Sequence, residues 1–156
     1  MRTNLLILFF CSLFGFSAYS QAFEISAVAH SIVSGLKTYN QIKDRENYKN
    51  GNPAYFDYSK RWHALQTLEI TSVVLVGIQI GLIHQDYIPG IITDVFLLGA
   101  IRWLVVDGVY NIKQGFSFFN QSEHTTSHLE PFGSPFVKIS FLVGVLIFKY
   151  FILPLF

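Results

Sequence analysis

The chain reads as all-α: a multi-pass transmembrane helical bundle of three mature spans, preceded by an amphipathic helix and a signal peptide. Residues 68–83, 88–109 and 136–156 form apolar stretches close to the length needed to cross a bilayer core. Composition agrees, with 51% hydrophobic and only 13% charged residues, against about 25% charged in an ordinary soluble domain. A formal charge of +1 without a clustered basic run gives no basis for binding nucleic acid, whose phosphates demand grouped cations.

The N-terminus has a secretory pattern. Met1-Arg2 is a short basic start, Leu5 to Phe16 an apolar core, and Ala18-Tyr19-Ser20 supplies the small residues of a cleavage site. Residues 1–20 therefore read as a cleavable signal peptide, and residues 21–156 as a single integral membrane domain. The only cysteine, Cys11, falls inside the signal, so the mature domain has neither a disulfide nor a cysteine-based zinc site.

From Phe23 to Lys49, Ile25, Val28, Ile32 and Leu36 recur at three- and four-residue intervals, and charges accumulate beyond Lys37. This predicts an amphipathic helix over 23–49, lying in the membrane interface or packed as a lid on the spans. Asn50-Gly51-Asn52-Pro53 breaks the chain. The first span is expected over 59–84, with Asp57 or Ser59 as cap and Lys60, Arg61 and Trp62 as interfacial anchors. Gln85 to Pro89 is a tight turn into the second span, 88–111, and a polar loop leads to the third, 136–156.

Orientation meets a conflict. A cleaved signal puts the mature N-terminus outside the cytoplasm, and Lys37, Lys43, Arg45, Lys49, Lys60 and Arg61 outside with it. The positive-inside rule asks for the reverse, which would need an uncleaved first helix and four spans. The local cleavage signal favours the first arrangement.

Ionisable residues inside the spans are costly and should face one another or water. Antiparallel spans bring Glu69 level with Asp107, and Tyr110 and Asn111 share a helix face with Asp107. Arg102 lies deeper and can neutralise Asp107 or Glu69, while Asp94 and Lys149 fall toward the opposite side, where they can pair. Asp94, Arg102, Asp107, Tyr110, Asn111 and Lys149 thus make an intramembrane polar layer. Gly77 and Gly81 form a GxxxG pattern suited to close helix packing.

No motif identifies a reaction. The glycine-rich phosphate loop, nucleophile elbow and dinucleotide fingerprint are missing. His124 and His128 are four apart, but they sit in a Ser/Thr-rich, proline-bounded segment without a neighbouring catalytic glutamate, which reads as a solvated loop. The residues support a bacterial inner-membrane protein acting as a structural or accessory subunit through helix packing. Its expected partners are the lipid bilayer and a homo-oligomer or larger membrane complex. The alternative is a membrane-embedded metal-binding protein or enzyme, with His30, His63, Glu69 and Asp107 as ligands of a divalent metal or as acid/base groups. An ion-conducting oligomer would require Arg102 and Asp107 to line a shared cavity.

Overall fold

The computed structural model describes residues 18–85, 87–120 and 134–155. The signal-like stretch through Ser17, including Cys11, and the His124/His128 pair lie outside these residues. The described residues are helical, without strands. Helix α1 (Ala18–Lys49) stops at Gly51, whose φ of 65° is a left-handed conformation that glycine adopts without a Cβ clash. Asn52 Oδ1 then accepts from the Ala54 N–H at 3.0 Å, and α2 (Tyr55–His84) begins one turn earlier than the sequence pattern suggests, with neither Asp57 nor Ser59 as its cap.

Helix α3 (Ile88–Lys113) follows the short turn, with Pro89 in its first turn, where a missing N–H costs no helical bond. Helix α4 (Pro135–Ile147) is capped by Ser134, whose hydroxyl accepts from the Val137 N–H at 3.3 Å. It continues through a π-helical turn (Phe148–Ile152) into a final 3-10 turn (Leu153–Leu155). Three segments, Tyr55–His84, Ile88–Lys113 and Pro135–Leu155, are long and apolar enough to cross a membrane.

The contacts give the helix directions. His30 meets Ser72, Ser34 meets Glu69 and Asp44 meets Trp62, so α1 runs antiparallel to α2. Ser34 meets Arg102, and the Tyr39 and Tyr110 rings lie 6.3 Å apart, so α1 runs parallel to α3. Asp94 meets Lys149, Trp103 meets Phe141 and Asp107 meets Lys138, which makes α4 antiparallel to α3. Of the two placements open to α1, the helix therefore runs alongside the spans, from the depth of Lys149 to that of Tyr110.

This arrangement also sets what holds the two spans joined by the tight turn. Helices α2 and α3 are joined by a short turn, yet most contacts of α2 are with α1, which packs against both. Phe23 and Ala27 of α1 fill the core with Val76, Ile80, Leu97 and Ile101. Toward the loop-rich end the interior turns polar, with Ser31, Ser34, Asn40 and Asn111 buried. Outside, Ile25, Leu68, Leu75, Leu82, Phe96 and Phe136 are exposed. An apolar exterior around a partly polar interior is the distribution that lipid, rather than water, favours.

Glycine positions separate by the space around them. A Cβ added to Gly35 would come within 2.8 Å of Val109 Cβ, and one added to Gly108 within 2.1 Å of the Phe118 ring. Gly77 and Gly81, expected to pack helices, have no atom within 4 Å of an added Cβ and face outward instead. Within one chain the close approach is made by Gly35. Replacing Gly35 or Gly108 with leucine should destabilise the bundle by about 1–3 kcal/mol through overpacking. Gly77→Ala and Gly81→Ala should be neutral or stabilising by up to about 1 kcal/mol, as read from unfolding midpoints in detergent.

Candidate functional site

Each inward-facing charge meets an opposite charge from another helix. Glu69 projects from α2 toward α1 and α3, where its Oε1 accepts a 2.5 Å hydrogen bond from Ser34 Oγ and its Oε2 lies 2.9 Å from Lys37 Nζ. Arg102 of α3 reaches Glu69 Oε1 at 3.3 Å and donates to Ser34 Oγ at 3.0 Å. Ser34 Oγ thus accepts from the guanidinium while donating its single hydrogen to the carboxylate. One carboxylate and two cations tie three helices together.

His30 lies one turn earlier on α1. Ser72 Oγ donates to the Glu69 carbonyl at 2.9 Å, so its single hydrogen is committed, and the 2.8 Å contact with His30 Nδ1 has the imidazole as donor. The tautomer is therefore the Nδ1–H form.

A second cluster sits toward the α2–α3 turn. Asp94 is 1% exposed; His84 Nε2 approaches its Oδ2 at 2.8 Å, and Lys149 Nζ lies 2.9 Å from its Oδ1, off the hydrogen-bonding direction. Glu24 of α1 lies 3.4 Å from the same ammonium, which also stands 5.0 Å from the centre of the Phe23 ring. Lys149 belongs to the π-helical turn, a local widening of the helix that often accompanies functional side chains. Gly90 leaves the room that the His84 ring occupies, since a Cβ there would come within 2.3 Å of Nδ1.

The third pair, Asp107 with Lys138, joins α3 to α4, and the Lys138 ammonium lies 5.6 Å from the Trp103 ring centre. Beyond it, Tyr110 OH accepts from Gln114 Nε2 at 2.9 Å. Asn111 Nδ2 donates to the carbonyls of Phe118 and Asn120, at 3.2 and 2.7 Å, and the Asn111 carbonyl accepts from the Phe116 N–H. Gly115, with φ 85°, allows this reversal. Tyr110 and Asn111 therefore shape the chain that leaves α3, and are not joined to the ionic clusters.

The expected metal quartet is not assembled. His30 and Glu69 enter one network, but His63 is exposed and stacked on Trp62 with centroids 3.7 Å apart, and Asp107 is held by Lys138. No group of three His, Cys, Asp or Glu among the described residues is placed to hold a metal. The polar layer also divides into three separate depths. Arg102 takes Glu69, and Asp107 takes a cation from α4.

Four participants escaped the sequence reading: Glu24, Ser34, Lys37 and Lys138. Glu24, Ala27, Ser31 and Ser34 repeat at three- and four-residue spacing on α1, opposite the apolar stripe. Lys138, an isolated cation in an apolar span, carried the same intramembrane signal as Lys149. Replacing Asp94 with alanine should destabilise the bundle by about 3 kcal/mol, because among the described residues it leaves Lys149 with Glu24 as its sole carboxylate. Thermal unfolding of the purified variant in detergent measures this loss, and Asp94→Ala/Lys149→Met should recover part of it. No family model, curated protein sequence or solved structure matches the chain.

Proposed function

We propose that this protein is a structural or accessory subunit of the membrane, whose internal charges hold its helices in register while its apolar exterior contacts lipid and other helices. The observation carrying this reading is charge compensation. Glu69, Asp94, Arg102, Asp107, Lys138 and Lys149 each have an opposite charge on another helix. Within the bundle these ionic side chains are occupied by one another, which is what a packing role asks of them. Paired polar groups in lipid contribute specificity of packing.

A neutral pair distinguishes the two roles. Glu69→Gln should lower the unfolding midpoint by leaving Lys37 and Arg102 facing an uncharged amide, and Glu69→Gln/Arg102→Gln should restore part of it, since Lys37 still lacks its carboxylate, a coupling that a double-mutant cycle reads. The cell's phenotype should follow stability through this series. Loss of phenotype in a folded, restored double variant overturns the structural reading in favour of a chemical role for these charges.

We also infer that α1 is a fourth crossing segment. Its contacts run from the depth of Lys149 to that of Tyr110, and its polar side chains turn inward. Hydropathy passes over such a helix because the polar residues that disqualify it are shielded by its neighbours. A crossing α1 removes the orientation conflict. Cleavage after Ser20 would leave the mature N-terminus outside, and the following crossing would deliver Lys43, Arg45, Lys49, Lys60 and Arg61 to the cytoplasm, as the positive-inside rule asks. In a Cys11→Ser background, a cysteine at Gln85 should react with a membrane-impermeant thiol reagent in intact cells. One at Asn50 should react only after permeabilisation. Labelling of both from the same side rejects the fourth crossing.

A further inference from the structure

We propose that the pocket at the loop-rich junction of α1, α2 and α3 binds the headgroup of an acidic phospholipid from the surrounding bilayer. The pocket has a volume of about 360 Å³. Leu36, Ala64 and Leu65 form its apolar walls, Tyr39 and Asn40 add polar edges, and Arg61 and Lys113 bring positive charge from two different helices. Such a combination suits an amphiphile: phosphate on the cations, glycerol and the first acyl carbons on the leucines.

Depth supports this occupant. At 1.5 Å per residue, about 20 helical residues cross the roughly 30 Å hydrocarbon core. Counting that length from the α2–α3 turn reaches Leu65 on α2 and Asp107 on α3, so Arg61 and Lys113 stand one to two turns further out, at headgroup level. Tyr39, whose ring meets those of Tyr58 and Tyr110, and Trp62, one turn beyond Tyr58 on α2, are the aromatic residues expected at that level.

The charges are also available. Lys37 is held by Glu69, Lys43 by Glu46 and Lys138 by Asp107. Among the described residues, neither Arg61 nor Lys113 has a carboxylate partner, and Arg61 only lies over the Tyr58 ring, 5.8 Å from its centre. Basic pockets between membrane helices recognise anionic headgroups by this complementarity. A free phosphate would use the cations without the apolar walls, which is why a lipid is the better match.

The test uses full-length, delipidated protein in neutral detergent, titrated with phosphatidylglycerol, phosphatidylcholine or inorganic phosphate and read by native mass spectrometry. Phosphatidylglycerol should bind at least about 10-fold more tightly than phosphatidylcholine, since one exposed-to-bound ionic contact of about 1.4 kcal/mol suffices for that ratio. Arg61→Gln/Lys113→Gln should abolish the preference, each single variant should reduce it, and Lys60→Gln should leave it intact. Both pocket cations are exposed, so circular dichroism should report unchanged helicity. Equal binding of the two lipids, an undiminished preference in the double variant, or displacement of phosphatidylglycerol by equimolar phosphate overturns the proposal.

Discussion

The low polarity of a bilayer makes an unpaired charge expensive, and the bundle is arranged around that constraint. Glu69, on an otherwise apolar span, cannot face lipid as a carboxylate at acceptable cost. Ser34, Lys37 and Arg102 converge on it from α1 and α3, so satisfying one charge positions three helices. Asp94 with Lys149 and Asp107 with Lys138 do the same for α4 at two other depths. The position of each helix follows from the partner its charge requires.

Helix α1 shows how strongly the solvent decides which face is buried. In water, Ile25, Val28 and Ile32 would be driven inward; here they are exposed, and Phe23, Ala27, His30, Ser31 and Ser34 line the interior. Apolar side chains gain little by leaving lipid for protein, whereas hydroxyl, imidazole and carboxylate groups gain hydrogen bonds. Small residues on that face, Ala27 and Gly35 among them, let α1 approach closely enough for short polar side chains to reach their partners.

The same logic separates two groups that the spacing of residues would merge. Asp107, Tyr110 and Asn111 share one helix face, but Asp107 serves the ion pair with α4, while Asn111 folds the following segment by binding the Phe118 and Asn120 carbonyls. Gly108 completes that turn by leaving room for the Phe118 ring. The run from Arg102 to Asn120 is therefore a joint: its deep end neutralises charge within the bundle, and its outer end turns the chain back onto the end of α3. No catalytic grouping is needed to account for its unusual concentration of polar residues.

Hydrophobic runs and breakers were enough to place three spans, the turn after His84 and the break at Asn50 to Pro53, because the cost of exposing backbone and charge to lipid acts locally along the chain. The rule that a buried charge must be paired was legible too, and antiparallel counting brought Asp94 and Lys149 to one depth. Partner choice was not legible. Whether Arg102 meets Glu69 or Asp107, whether α1 lies on the surface or among the spans, and whether Gly77 and Gly81 face a neighbour or lipid all depend on how each helix is rotated about its axis. Periodicity identifies two faces of α1 without saying which is inside. Tertiary packing decides that, since the choice rests on the simultaneous pairing of Glu24, Ser34 and Lys37 with side chains 32 to 125 residues away along the chain.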